Sequence, residues 1–180
     1  MVAVAGPLDA PTVVDRRRIE IADRSVAGSV QPYHAVEGQP LADAKKVLDG
    51  CAAATRKLAR RALQEVLKDL ETNGFRAVRS GLLLSSGRPL GALAATLASH
   101  ALIHTAEGEF YRDALREASE HCEIPVLGVK EREVLPQAAD ALALSVEDVQ
   151  RTVAQIGKSL GPPWRQDEKL ATVAAWLALR

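Results

Sequence analysis

The chain has 180 residues, 47% hydrophobic and 26% charged, and its 23 basic side chains balance 23 acidic ones. That is enough apolar material for a single domain over residues 1–180 that buries roughly 70% of its unfolded surface without disulfides or a structural metal. The charge balance removes the simplest electrostatic argument for a nucleic acid or a membrane surface as partner. The apolar share consists largely of 31 alanines, with two each of Trp, Tyr and Phe, which favours closely approaching helices over an aromatic-rich sandwich.

Along the chain, residues 1–40 read as N-terminal strands and a loop, 41–130 as a helix-strand-helix-strand core, and 131–180 as C-terminal helices. Val2–Ala5 and Thr12–Val14 are short apolar runs separated by a turn-rich Gly6-Pro7-Leu8-Asp9-Ala10-Pro11 stretch, the pattern of a hairpin or meander. Arg18–Asp23 alternates polar and apolar residues and predicts a third, half-buried strand. The loop from Arg24 to Pro40 is long, and its Tyr33-His34 pair marks it as a candidate functional loop.

From Leu41 the apolar spacing turns helical through Ala44, Leu48, Cys51, Thr55, Leu58, Ala62, Val66 and Leu70, and Asn73-Gly74 supplies a left-handed stop. Phe75–Ser85, with its Leu82-Leu83-Leu84 run, predicts a central strand buried on both faces. Pro89 opens a second long helix whose stripe runs Leu90, Leu93, Leu97, Ala101, His104, Gly108, Tyr111 and Leu115. Ile124–Val129 predicts another strand. Pro136 limits a helical stretch, Ser145 with Asp148 opens a helix to Leu160, Gly161-Pro162-Pro163 stops it, and a last helix covers Gln166–Leu179. The expected architecture is α/β, a mixed five-stranded sheet with long helices packed on it.

Cys51 and Cys122 are far apart and in no C-x-x-C setting, so a reduced, cytoplasmic location is expected, with both thiols structural. The N-terminal stretch has no basic n-region, and no apolar run approaches the roughly 20 residues of a membrane span.

A buried strand followed by a long helix (Ala77 to Cys122), an Ile-Pro-Val strand (Ile124 to Val126), Val149-Gln150-Arg151 in a further helix, a Pro-rich turn and then Asp167 before an Ala- and Leu-rich terminal helix form a recognisable succession. It resembles the ribonuclease H-like fold and, within it, the Holliday-junction resolvase topology. The resemblance implies acidic side chains from two strands and the final helix holding divalent metal beside a scissile phosphate. Val2–Ala5 and Ala77–Leu84 supply no carboxylate, and Asp167 with Glu168 alone falls where such acids belong. The expectation is therefore a relative without the metal-dependent nuclease centre, binding a nucleic acid or a phosphorylated ligand.

Three constellations could carry chemistry. His100, His104 and Glu107 lie at i, i+4 and i+7 on one helix face, a spacing that presents two imidazoles and a carboxylate to a divalent metal, with Glu109 as a nearby acid or base. This supports a second expectation, a metal-dependent enzyme of hydrolase type; the catalytic candidates of the chain as a whole are Glu107, Glu109 and, from the resemblance, Asp167. Ser85, Ser86 and Arg88 join a strand to a helix start, where hydroxyls, a guanidinium and free N–H groups suit an anion, although no P-loop is present. Arg56, Lys57, Arg60 and Arg61 occupy adjacent helical turns that could follow a phosphate backbone or form a solvated face. A third expectation is a non-enzymatic homodimer assembled through the Ala-rich helices.

Overall fold

A computed structural model of the chain describes residues 1–85 and 89–180. It is mostly helical, 58% of residues, and its strands form two separate two-stranded sheets. The five-stranded mixed sheet predicted from the sequence does not form. In chain order the elements are β1 (Val2–Ala5), β2 (Thr12–Arg16), α1 (Pro32–Ala35), α2 (Leu41–Thr72), β3 (Ser80–Leu84), α3 (Leu93–Leu97), α4 (His100–His121), β4 (Val126–Lys130), α5 (Val134–Leu142), α6 (Val146–Leu160) and α7 (Gln166–Ala178). No helix among the described residues is long and apolar enough to cross a membrane.

The missing sheet has local causes. β1 and β2 pair antiparallel with a bulge at Ala3/Val4, and the ladder closes on the bond from the Arg17 N–H to the Met1 carbonyl. Arg18–Asp23, expected as a third strand, has no strand beside it. Ile21 instead joins an apolar cluster with Ala59, Ala114 and Ala118. Phe75 to Arg79 is also not a strand. β3 begins at Ser80, whose N–H donates to the Pro125 carbonyl, and a proline has no N–H to carry the ladder further. Phe75 and Val78 are exposed, and β3 has one neighbour, β4, in parallel register from Ser80↔Val126 to Leu84↔Lys130. The helix expected from Pro89 is two helices, because Ser99 takes an extended conformation between α3 and α4.

The chain divides into two compact units. The first comprises residues 1–18, 67–85 and 124–180. Its core gathers Val129, Val134, Ala138, Val149, Val153, Leu170, Val173, Ala174, Trp176 and Leu177. α7 lies at its centre, in contact with β1, β3, α5 and α6, and is apolar around most of its circumference, as a helix covered on several sides must be. The Trp176 indole N–H donates to the Leu8 carbonyl at 3.0 Å, so its one polar atom is satisfied inside the core. Ser145 caps α6 by accepting from the Asp148 N–H at 3.0 Å, as its spacing predicts. Arg16 donates to the Gly161 and Pro163 carbonyls, tying the hairpin to the turn before α7.

The second unit comprises residues 19–66 and 89–123, with α1, most of α2, α3 and α4. Alanines of α2 and α4 meet in it at Ala59, Ala114 and Ala118, beside Leu63 and Leu115. Val36, Ala44 and Leu48 form a second cluster, covered by Tyr33, Leu93 and Leu97.

Two glycines test this packing in opposite directions. A Cβ on Gly81 would run into the Ala174 carbonyl oxygen, backbone that cannot swing aside, whereas Gly50 stands in α2 with nothing within 4 Å. Gly81→Ala should therefore lower stability by about 1–3 kcal/mol, and Gly50→Ala should raise it by about 0.5–1 kcal/mol. Urea denaturation of both variants, read by circular dichroism, checks the pair.

Candidate metal centre

The site is written on one face of α4. His100, His104, Glu107 and Tyr111 stand at i, i+4, i+7 and i+11, so all four side chains project along one stripe. Opposite them runs the segment from Ser29 to Ala35, which includes the four-residue helix α1.

Three imidazoles converge here. One ring nitrogen from each of His34, His100 and His104 lies within 4.8 Å of the others. The Nε2 atoms of His100 and His104 are 3.1 Å apart. The His34 ring stands edge-on to both, with centroids 5.4 Å from His100 and 4.7 Å from His104. His100 and His104 are exposed, and His34 is half-buried.

Glu107 has different neighbours from those its spacing suggests. Its Oε1 accepts from the backbone N–H of Tyr33 at 2.7 Å and of His34 at 3.0 Å, and lies 3.2 Å from His34 Nδ1. Tyr33 and His34 are the second and third residues of α1, whose first-turn N–H groups have no acceptor within the helix, and Gln31 before them gives no side-chain cap. Pro32, at the first position, has no N–H to satisfy. The α4 carboxylate thus caps α1 from outside. Its other oxygen, Oε2, is buried with no hydrogen-bond partner among the described residues.

Tyr111 fastens the same segment one turn along. Its hydroxyl lies 2.8 Å from the carbonyl oxygens of both Ser29 and Val30 and donates its proton between them. Ser29 is buried and its hydroxyl donates to the Asp23 carbonyl, which folds the loop back on itself.

A carboxylate in a half-closed setting raises the pKa of acids around it. Burial, then the Glu107 charge, then Asp113 raises the Tyr33 phenol above its ordinary value, and burial followed by Glu107 and Cys51 does so for Tyr111. The Cys51 thiol is also raised, first by burial and then by Glu107, which leaves it protonated and unreactive at neutral pH.

The remaining sequence candidates are dispersed. Glu109 pairs with Arg112 at 3.4 Å and lines a cleft of about 190 Å³ with Tyr33, Asp49, Arg56 and Asp113. Asp167 belongs to the first unit, in the first turn of α7, where an acid suits the helix N-terminus. Ser85 ends the stretch after β3, while Ser86 and Arg88 lie outside the described residues. In the basic set, Arg56 pairs with Glu117 and Arg61 with Glu65, each at 2.8 Å, and the Arg60 Nε is buried without a hydrogen-bond partner among the described residues. Lys57 is exposed. The helix spacing therefore identifies His100 and His104 as neighbours but not His34, whose signal was its place beside Tyr33 in an unusually long loop.

Comparison with protein-family models, with curated proteins and with solved structures finds no match to this chain.

The two tyrosines are the only ones in the chain, and both face Glu107. A tyrosinate titration at 295 nm should show neither phenol ionising at the ordinary value of 10.0, and Glu107→Gln should move both steps down. Because the folded-state pKa is the raised one, these phenols contribute stability that is present below pH 10 and lost as pH rises through the folded values. A wild-type step at the ordinary value would contradict the burial described.

Proposed function

We propose that the second unit is a metal-binding module in which His34, His100 and His104 hold one divalent first-row transition ion, zinc being the best fit, with a coordination position left for water or substrate. The observation that carries this reading is the convergence of three ring nitrogens within 4.8 Å, two of them 3.1 Å apart. Two imidazole nitrogens bound at about 2.0–2.1 Å to one tetrahedral zinc sit about 3.3 Å apart, so the His100–His104 pair already has the spacing of shared ligation. His34 needs to close by at most about 1.5 Å to join them, a movement within reach of a side-chain rotation.

The donor set points the same way. Three neutral imidazoles suit zinc and its neighbours in the transition series and not magnesium or calcium, which take oxygen ligands. Three protein ligands are also the number found where zinc acts on a substrate, since structural zinc sites close all four positions. An ion held this way supplies Lewis acidity and lowers the pKa of a water in its open position to about 7. The exposure of His100 and His104 supports access from solvent to that position. The reaction class that suits this arrangement is metal-assisted hydrolysis or hydration.

Elemental analysis of protein purified from zinc-supplemented medium should give near-stoichiometric metal. His104→Ala and His34→Ala should each reduce it strongly, and cobalt(II) added to stripped wild-type protein should give the intense visible bands of a tetrahedral site. Wild-type protein that neither retains zinc nor takes up cobalt would sink the reading.

A further inference from the structure

Resting on that metal reading, we infer that Glu107 is the positioning residue of the centre, and that through it metal occupancy and the order of the Ser29–Ala35 segment are coupled. Glu107 touches no metal in this arrangement. It acts through His34.

A carboxylate can only accept, so the 3.2 Å contact between Glu107 Oε1 and His34 Nδ1 requires the proton of a neutral His34 to sit on Nδ1. The lone pair of the ring is then on Nε2, free for an ion. The same oxygen holds the His34 and Tyr33 amides, so one atom fixes the backbone position, the ring orientation and the tautomer of the third ligand. A carboxylate behind a ligating histidine does this in metal sites generally, and its loss typically costs 10–100-fold in metal affinity.

The coupling follows from where His34 sits. His100 opens the 22-residue α4 and His104 lies one turn further in, so the helix itself sets their spacing. His34 belongs to a one-turn helix that cannot persist alone and is held to α4 through Glu107 and Tyr111. An ion on His34 Nε2 draws electron density from the ring, makes the Nδ1–H a better donor, and so strengthens the contact with Glu107. By linkage the reverse holds to the same degree: a segment already fastened by Glu107 and Tyr111 presents its imidazole at lower entropic cost and raises the affinity for the ion.

The test uses zinc chloride as probe on the full chain. Calorimetric titration should show wild type binding about one zinc, with Glu107→Gln weakened by about 10–100-fold and Tyr111→Phe weakened less, since it loosens the segment without touching the His34 ring. Nitrogen-15 spectra should place the metal-free wild-type His34 proton on Nδ1 and show mixed tautomers in Glu107→Gln. Zinc should slow amide exchange at Tyr33 and His34 in wild type and leave exchange at Tyr33 unchanged in His34→Ala. Glu107→Gln preserves side-chain volume, and unchanged far-ultraviolet circular dichroism confirms that the variant is folded. Wild type without zinc binding overturns the metal reading and this inference together. Wild-type binding combined with undiminished affinity and an unchanged His34 tautomer in Glu107→Gln overturns this inference alone and leaves the metal reading standing.

Discussion

A single carboxylate oxygen, Glu107 Oε1, receives two backbone amides and meets a ring nitrogen of one short segment, and the second unit's loop is arranged around that contact. The side chain is only 12% exposed, so removing its charge from water has to be offset by those hydrogen bonds. That requirement explains why α1 forms where it does. Four residues with a proline at the first position have little helical tendency of their own, and an acceptor for their free amides is what defines them as a helix. Tyr111 then anchors the chain just upstream, so the long loop between Asp23 and Gln39 is held to α4 at Ser29, Val30, Tyr33 and His34.

The first unit is organised by a different constraint, the burial of α7. Its indole, its alanines and its aliphatic residues are covered by the hairpin on one side, β3 on another and α5 and α6 elsewhere. Gly81 lets β3 approach the α7 backbone at a point where a methyl group would meet a carbonyl. Four short strands suffice because each pair needs only enough ladder to present one apolar surface to that helix.

Helices were legible in the sequence where their periodicity ran uninterrupted: α2 and α6 begin and end within a residue or two of their caps and stops. Strands were not, because alternation over Arg18–Asp23 reports that Ile19 and Ile21 want cover without saying that a strand will supply it. Ile21 finds alanines of two helices instead. Phe75 and Val78 mislead in the same way, being apolar yet exposed. Of the candidate metal centre, the i, i+4 relation of His100 and His104 is a property of any helix and can be read directly. The convergence of His34 depends on a loop closing over many residues, and no local spacing encodes it. Glu107 reads as part of the cluster from its position on the stripe, but its partners, two backbone amides and a ring nitrogen, exist only once that loop has closed.

The separation in chain position between His34 and the other two imidazoles has a thermodynamic consequence. In an unfolded chain only the neighbouring pair is available to an ion, and it offers two flexible ligands where the native chain offers three ordered ones. An ion with that preference stabilises the native state by mass action, about 2.7 kcal/mol at a free concentration one hundred times its Kd. The added stability would be greatest where the fold itself is least secured, in a segment whose regular structure amounts to one turn of helix. An ion held in this way would serve the chain as a concentration-dependent cross-link between its loop and α4, released by a chelator where a disulfide needs a reductant, in a protein whose two cysteines form no bridge.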